Sequence, residues 1–307
     1  MKKGRGLKFG IIGLGKMGNF HAKKLMEIPG AKPYAVFDVR EEQLNKAAQE
    51  YGAKTFTNYN DLLKEVDAVI VTAPTEKHFE IASATLAAGK PTLVEKPLAK
   101  TSADAEKLVA LAKEKNTILS AGHIERFNPA FQGILKLIRK ERVLGIDIKR
   151  TSPFPERITD ANVVQDMMIH DLDIALNLLP LDEIESLTAK GKKVKSKVFD
   201  IAIAKLYFKS GIITKIEANR VSDSTQRKIV VSTEKGVVEA DLLKKTIIVR
   251  DFQHPSPSVH HIKVYDQLEA ELTDFVKAIK NNLSPTVTGE DGLAAVKLAE
   301  EVEKACS

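Results

Sequence analysis

The sequence contains a single cysteine, Cys306, near the end of its 307 residues. One cysteine excludes an intrachain disulfide and a zinc site built from several thiolates, and it favours a cytoplasmic location. No apolar stretch approaches the roughly 18 residues that suggest a membrane span. The basic start, residues 1–6, leads into only a short apolar run, which we interpret as a first strand and not as a secretion signal.

Features that recognise nucleic acid are also lacking. The formal net charge is +6, but the lysines are scattered and form no zinc-finger spacing, recognition helix or basic stripe interleaved with aromatics. We interpret the charge as a solvated lysine-rich surface, and the alternative is a field that attracts an anionic substrate or cofactor. We therefore predict a small-molecule substrate, with no nucleic-acid and no membrane partner.

The predicted elements divide the chain into two parts. Over residues 1–121, apolar runs alternate with helical patterns, as in a doubly wound parallel sheet of the α/β class. Over residues 122–307, helices give way to consecutive strands joined by turns such as Lys209-Ser210-Gly211, which predicts an α+β domain. The last helix is available to pack back on the first domain.

A glycine-rich turn, Gly13-Leu14-Gly15-Lys16-Met17-Gly18, follows the first predicted strand and opens a helix. Glycines in this pattern permit a tight turn, the approach of a pyrophosphate and close helix–strand packing. Asp38 follows the next strand, where a carboxylate accepts hydrogen bonds from a ribose and repels a 2′-phosphate, so NAD is favoured over NADP. Arg40 weakens this preference for NAD, because its guanidinium can pair with a 2′-phosphate. Alternatively, Arg40 stacks on adenine.

Two later strand ends can line the nicotinamide half of such a site, because open parallel sheets bind ligands outside the carboxyl ends of their strands. Thr72-Ala73-Pro74-Thr75 leads to His78, and Glu95-Lys96-Pro97 ends a later strand. The Lys96 ammonium can hydrogen-bond a reacting hydroxyl and favour its alkoxide character. His78 is equally consistent with a residue that only begins a helix.

Asp166 and His170 lie four residues apart on a helix predicted from about Asn162 to Leu179, and they share one face with Asp173. Histidine with a carboxylate is an ordinary acid–base unit, in which the imidazole takes the proton. The alternatives are a solvated polar stripe and a metal site, for which we find no third or fourth ligand. We predict no metal, and we interpret Asp171, off the shared face, as a structural partner.

Taken together, the motifs resemble the Gfo/Idh/MocA oxidoreductases over nearly the whole chain. The resemblance rests on the glycine turn, on Ala87-Ala88-Gly89-Lys90 leading to Glu95-Lys96-Pro97, and on Asp166-x-x-x-His170. It implies an N-terminal Rossmann domain over residues 1–121. It also implies a substrate-binding domain over residues 122–307, with a large, mainly antiparallel open sheet that forms homodimers or homotetramers. Lys96, Asp166 and His170 would be catalytic, with His170 as the base.

Within this family, the chain is most similar to UDP-N-acetylglucosamine 3-dehydrogenases and related sugar dehydrogenases. This narrower resemblance rests on residues 122–129 and on Pro153-Phe154-Pro155-Glu156-Arg157-Ile158. Asn162 stands where such sequences usually have glycine, and Arg220 stands where we expect an aromatic residue.

We therefore predict an NAD-dependent oxidoreductase that moves a hydride from a secondary hydroxyl of a sugar or nucleotide-sugar, with C3 of UDP-N-acetylglucosamine as one candidate. The alternatives are an inositol or free-monosaccharide dehydrogenase and a non-catalytic, cofactor-binding regulator on the same fold. The predicted substrate contacts are Arg126, Arg157, Asp166 and His170. The predicted cofactor contacts are Gly13, Gly15, Lys16, Met17, Gly18, Asp38, Arg40, Thr72, Pro74, Thr75, His78, Glu95 and Lys96.

Overall fold

The computed structural model describes residues 6–155, 161–254 and 256–306. These residues form two compact units. One comprises the chain up to Ile124 together with Asp266–Val296, and the other comprises Glu125–Tyr265 together with the chain from Lys297 onward. The assignment of residues 1–121 to the cofactor and 122–307 to substrate and oligomerisation stays a prediction.

Strands and helices alternate regularly through the first part of the chain. In order they are β1 (Leu7–Ile12), α1 (Lys16–Leu25), β2 (Ala31–Phe37), α2 (Glu41–Tyr51), β3 (Lys54–Phe56), α3 (Tyr59–Leu63), β4 (Ala68–Val71), α4 (Thr75–Ala87), β5 (Thr92–Glu95), α5 (Ser102–Glu114) and β6 (Leu119–Gly122). The six strands form one sheet in the order β3-β2-β1-β4-β5-β6, and the pairs are all parallel.

Strands then dominate the chain as far as residue 260. The elements are α6 (Pro129–Ile138), β7 (Val143–Thr151), α7 (Ile169–Leu178), β8 (Ile184–Lys192), β9 (Ile201–Phe208), β10 (Ile213–Asn219), β11 (Gln226–Thr233), β12 (Gly236–Asp241), β13 (Thr246–Asp251) and β14 (Ser258–His260). A 3₁₀ turn over Ile124–Phe127 precedes α6. Two helices follow, α8 (Gln267–Asn281) and α9 (Gly289–Ala305).

Local sequence explains why the first sheet forms. The residues of β4, Ala-Val-Ile-Val, are all buried, as a central parallel strand covered on both faces requires. Helix α2 ends at Gly52 with φ of 62°, and glycine adopts this left-handed conformation without steric cost. Thr101 caps α5, since its side-chain oxygen accepts a hydrogen bond from the Asp104 amide at 3.2 Å.

Helix α8 completes the core of the first unit, although it comes more than a hundred residues after β6. Leu272 and Phe275 are buried in the same cluster as Phe9 of β1 and Leu25 of α1. The rings of Phe9 and Phe275 lie 6.1 Å apart in a tilted arrangement. A late helix is therefore part of the hydrophobic core that supports the glycine-rich turn.

The second unit is built on an eight-stranded sheet in the order β14-β13-β12-β11-β7-β10-β9-β8. Only β7 and β10 run parallel among the described pairs, and the others are antiparallel. Alternate residues such as Ala218 and Val231 are buried on one face, where α6 packs on β12 and β13, and α7 packs on β10. The parallel sheet and the mainly antiparallel sheet confirm the predicted fold class.

Strand β3 and helix α3 are short, and strand β8 includes half-buried and exposed residues but no buried ones. None of the helices in the described residues has both the length and the apolar character that crossing a membrane requires.

Candidate active site

The glycine-rich turn between β1 and α1 has the open shape that a dinucleotide needs. Gly13 has φ of +100°, and a Cβ there would lie 2.6 Å from the Ala73 amide nitrogen. A Cβ on Gly18 would lie 1.9 Å from the Gly13 carbonyl oxygen, whereas a Cβ on Gly15 would meet nothing within 4 Å. A side chain at the first or third glycine would therefore collide with the backbone, whereas the middle glycine leaves free space beside the N-terminus of α1. The turn fits a pyrophosphate.

The predicted contacts around this turn lie on it or next to it. Lys16 is exposed and Met17 is half-buried in the first turn of α1. Thr72, after β4, donates a hydrogen bond from its hydroxyl to the Gly13 carbonyl at 2.5 Å and so ties the two loops together. Pro74 precedes α4 and Thr75 begins it.

Asp38 follows β2 and is 7% exposed. Its Oδ2 accepts hydrogen bonds from the Leu14 amide at 2.7 Å and from Arg40 Nη2 at 3.1 Å, and its Oδ1 accepts from Arg40 N and Nε, both at 2.9 Å. Burial alone would raise the pKa of Asp38, but the hydrogen bonds from Arg40 and Leu14 outweigh it and lower that pKa. Asp38 is therefore an ionised carboxylate beside the glycine turn, which suits a ribose and opposes a 2′-phosphate.

His78 connects the two later strand ends. It is 2% exposed, and its Nδ1 lies 2.7 Å from the Pro97 carbonyl oxygen while its Nε2 lies 2.8 Å from the Ala73 carbonyl oxygen. Burial lowers the pKa of His78, more than these two carbonyls raise it. His78 thus fixes the shape of the loops after β4 and β5, and direct contact with a cofactor stays a prediction.

Glu95 and Lys96 lie at the carboxyl end of β5. Glu95 is 9% exposed, and its Oε1 lies 2.7 Å from Nε2 of His21, which is fully buried in α1. Lys96 is half-buried and follows the strand directly. It therefore lies at the carboxyl end of the parallel strands, where the glycine turn also lies. The first unit therefore brings the predicted cofactor contacts and Lys96 to the carboxyl end of one parallel sheet.

Asp166 lies on a π turn, not on a regular α-helix. The π turn covers Val164–Met168 and runs directly into α7, so that the Ile169 amide bonds to the Val164 carbonyl five residues back. The prediction of one regular helix is therefore wrong over these residues. Wide turns of this kind occur frequently at functional sites. His170 is the second residue of α7.

Asn162 anchors the start of this segment. Its Oδ1 accepts hydrogen bonds from the Val164 amide at 2.8 Å and the Gln165 amide at 3.1 Å, and its Nδ2 donates to Glu303 of α9 at 2.7 Å. Among the described residues, the non-glycine positions with positive φ are elsewhere. The asparagine that departs from the family pattern therefore acts as a helix cap and not as a left-handed turn.

A buried group of charges holds α7 against the sheet. Arg150 of β7 is 3% exposed, and its guanidinium donates to Asp171 at 2.7–3.0 Å and to Glu125 at 3.0 Å. Burial would raise the pKa of Glu125, but Arg150 and Arg227 outweigh it and lower that pKa. These contacts support the interpretation of Asp171 as a structural partner, one residue from His170.

Arg126 and Asp173 form a second buried pair in the same unit. The guanidinium donates from Nε at 2.7 Å and from Nη2 at 2.9 Å to the two carboxylate oxygens. Arg126 is 5% exposed and Asp173 is 1% exposed. The pair braces the 3₁₀ turn before α6 against α7, and a substrate contact by Arg126 stays a prediction.

Arg220, which stands where an aromatic residue is expected, has a structural role that the sequence did not reveal. It is fully buried, donates to Asp200 at 3.0 Å and to the Ala161 carbonyl at 2.6 Å, and lies 5.6 Å from the Phe154 ring. It therefore holds the chain immediately before Asn162. The predicted contact Arg157 lies outside the described residues.

Two family models match the chain. One, described as an oxidoreductase family with an NAD-binding Rossmann fold, matches residues 7–123, and the GFO/IDH/MocA C-terminal domain matches residues 145–239. UDP-N-acetylglucosamine 3-dehydrogenase of Acidithiobacillus ferrooxidans is 30% identical over 97% of each chain. Its solved structure superposes with a TM-score of 0.91 over 98% of this chain and 97% of that one.

Other dehydrogenases are also similar. Myo-inositol 2-dehydrogenase of Thermotoga maritima is 30% identical, over 97% of this chain and 96% of that protein. An Agrobacterium radiobacter oxidoreductase solved with NAD+, L-tartaric acid and magnesium is 17% identical, with a TM-score of 0.88 over 98% of this chain and 96% of that one. At that identity the likeness shows the fold alone.

Proposed function

Because the chain belongs to the Gfo/Idh/MocA oxidoreductase family, we propose that it is an NAD-dependent dehydrogenase of a nucleotide-sugar secondary hydroxyl, with C3 of UDP-N-acetylglucosamine as the favoured site. The observation that carries this choice is the match to the Acidithiobacillus ferrooxidans enzyme, at 30% identity over 97% of both chains. The ionised Asp38 carboxylate beside the glycine turn supports NAD over NADP.

The proposed chemistry assigns a role to each predicted cofactor and catalytic residue. The glycine turn, Asp38 and the loops after β4 and β5 would hold the dinucleotide, which supplies the hydride acceptor when bound. His170 takes the proton of the reacting hydroxyl as general base. Lys96 donates a hydrogen bond to the reacting oxygen and favours its alkoxide character. Asp166 orients His170 or the substrate.

Two arginines are proposed to recognise the nucleotide part of the substrate. We assign this role to Arg157 and to Arg126. Arg126 already pairs with Asp173. An arginine can bind a phosphate in a bidentate manner. An Arg157→Ala variant should raise the Michaelis constant for a UDP-sugar with little change in turnover, and an unchanged constant would remove Arg157 from the site.

The second candidate is an inositol or free-monosaccharide dehydrogenase. It is favoured by the Thermotoga maritima myo-inositol 2-dehydrogenase, which matches at the same 30% identity over nearly the whole chain. A free polyol carries no phosphate, so this candidate needs no arginine contact.

A substrate panel separates the two candidates. The full chain is incubated with NAD or NADP and with UDP-N-acetylglucosamine, myo-inositol or glucose, and reduction of the nicotinamide is followed by its absorbance. We expect NAD reduction with the UDP-sugar, and NMR of the product should place the new ketone at C3. Lys96→Ala should abolish turnover, whereas the matched control Lys100→Ala, at an exposed lysine four residues on, should not. Turnover with myo-inositol alone would favour the second candidate.

We further propose a cytoplasmic homodimer or homotetramer that associates through the eight-stranded sheet. The single cysteine supports the location. Ile203 and Ile213 lie on the sheet face opposite the buried residues and are 36% and 45% exposed, which supports association there. Light scattering over a range of concentrations tests the assembly, and a monomer throughout would contradict it.

A further inference from the structure

A lysine-rich loop joins β8 to β9, and the proposed chemistry does not use it. We call residues 193–199 the basic loop. Its three lysines, Lys193, Lys195 and Lys197, are all exposed. None of their ammonium groups forms an ion pair with a carboxylate of the residues that the structure describes. The basic loop therefore carries a local positive charge that can attract an anion.

Asp200 gives the basic loop one fixed shape. Its Oδ2 accepts hydrogen bonds from the amides of Val194, Lys195 and Ser196 at 2.7–2.9 Å. Its Oδ1 accepts from the Ser196 hydroxyl at 2.6 Å and from Arg220 Nε at 3.0 Å. Asp200 and Arg220 are both fully buried, and Arg220 neutralises the carboxylate, so the charge of the loop lysines stays uncompensated. A loop already held in one shape loses little conformational freedom when it binds a ligand.

The basic loop is attached to the segment that carries Asp166 and His170. The Phe199 carbonyl oxygen accepts a hydrogen bond from the Val163 amide at 2.9 Å. Val163 directly precedes the π turn. In helical geometry the rise from Val163 to His170 is roughly 10 Å. A sugar ring and a diphosphate together can span such a distance, so a substrate that reaches His170 can also reach the basic loop.

The Lys195 side chain lies beside a chain segment that contacts the π turn. Its Nζ lies 5.9 Å from the centre of the half-buried Phe154 ring, and Arg220 Cζ lies 5.6 Å from the same ring. In the same segment, Ser152 Oγ lies 3.8 Å from the sulfur of Met167, which belongs to the π turn. Among the loop lysines, Lys195 is therefore the one whose ammonium lies against this segment.

We propose that the basic loop binds the diphosphate of a nucleoside diphosphate-sugar, with Lys195 as the direct contact. The inference rests on the proposed function and deepens it, because it assigns the phosphates of the substrate to the connection between β8 and β9. A lysine ammonium binds phosphate as a compact point charge. A free polyol would leave this charge without a counter-charge. Asp200 and Arg220 are positioning residues, since they hold the basic loop and are themselves fully buried.

Binding of UDP to the full chain tests this site without turnover. Dissociation constants for UDP and for NAD are measured by calorimetry, at low and at high salt. The proteins compared are the unsubstituted chain, Lys195→Ala, Lys195→Arg and Lys244→Ala. Lys244 is the matched control, because it is an exposed lysine in the turn between β12 and β13, toward the opposite edge of the same sheet.

Lys195→Ala should bind UDP about tenfold more weakly at low salt, because a hydrogen bond between two charged groups is lost. The difference should be smaller at high salt, since ions screen an exposed charge. Lys195→Arg should keep most of the affinity, and Lys244→Ala should match the unsubstituted protein. The affinity for NAD should be the same in all four proteins, because the glycine turn would hold the pyrophosphate of that cofactor.

Equal UDP constants for the unsubstituted protein and Lys195→Ala would overturn the proposal, and so would the absence of measurable UDP binding. A loss in Lys195→Arg or Lys244→Ala as large as that in Lys195→Ala, or a loss of affinity for NAD in place of UDP, would also overturn it. The two proposals fail separately. Turnover of the UDP-sugar with unchanged UDP binding in Lys195→Ala would remove only the phosphate site. Weakened UDP binding in that variant, without turnover of any compound in the substrate panel, would remove only the dehydrogenase assignment.

Discussion

Replacing Asp38 by serine tests how the chain selects its dinucleotide. A carboxylate has about four acceptor positions, and here the Leu14 amide and three nitrogen atoms of Arg40 already donate to them. The hydroxyls of a ribose must therefore displace part of the Arg40 side chain. That side chain is 57% exposed, so it is free to move toward solvent.

The expected loss of NAD affinity in Asp38→Ser follows from two opposing contributions. A hydrogen bond to a charged acceptor contributes about 1.5–3 kcal/mol. Giving up an exposed ion pair with Arg40 costs about 0–1 kcal/mol. The net loss on changing Asp38 to serine is then about 1.5 kcal/mol, which corresponds to about tenfold weaker NAD binding. Binding of NADP should strengthen, because the carboxylate no longer repels a 2′-phosphate and Arg40 is released to pair with it.

Direct binding is the suitable assay, since it needs no substrate. Dissociation constants for NAD and NADP are measured by calorimetry for the unsubstituted protein, Asp38→Ser, Arg40→Ala and Asp38→Ser with Arg40→Ala. Asp61→Ser is the matched control, because Asp61 is exposed and pairs only with Lys64 among the described residues. An unchanged ratio of the NAD and NADP constants in Asp38→Ser would refute the reasoning, and a gain for NADP that survives loss of Arg40 would refute the role of that arginine.

Three further perturbations test the scaffold. Arg150→Met removes the cation that pairs with buried Asp171 and one arginine partner of Glu125, which keeps Arg227, and chemical denaturation should show a loss of about 3–5 kcal/mol in the free energy of unfolding; a loss below 1 kcal/mol would contradict this account. Burial raises the pKa of Glu271, on α8, well above its ordinary value. The contribution of Glu271 to stability is therefore complete below the ordinary glutamate pKa and is lost as pH rises through the raised value. Thermal unfolding should therefore show that the stability of Glu271→Gln, relative to the unsubstituted protein, increases from pH 5 to pH 8. The control Glu269→Gln, at an exposed position, should show no such increase. Equal increases in the two variants would contradict a raised pKa of Glu271. Gly18→Ala places a methyl group against the Gly13 carbonyl, so we expect a loss of about 1–3 kcal/mol in stability and weaker binding of NADH by fluorescence; unaltered binding would show that the turn tolerates the group.

The features that the sequence predicted well are local ones. The glycine turn and the alternation of strands and helices over residues 1–121 each depend on residues close together in the chain, so spacing and residue type were sufficient. The family matches confirm the resemblance, the oxidoreductase class and the NAD-binding Rossmann fold. The roles of Lys96, Asp166 and His170 stay predictions, with the substrate panel as their test.

The features that the sequence missed depend on distant residues or on weak patterns. Arg150 pairs with Asp171 and Glu125, which are 21 and 25 residues away, and no local pattern distinguishes these charges from solvated ones. Strand β8 alternates half-buried and exposed residues and includes Gly191, so it lacked the apolar run that identified the other strands. The π turn escaped notice because a hydrophobic pattern with helical spacing tolerates one wide turn.

The wide turn over Val164–Met168 has a consequence for how this segment tolerates change in length. A π turn corresponds to one extra residue accommodated inside a helix. Deleting one residue between Asp166 and His170 would restore an ordinary helix and reduce the spacing of these two side chains from four residues to three. The helix would survive and could even be more regular, yet the carboxylate would face a different direction. Length, and not only residue identity, is therefore part of what this stretch of sequence specifies.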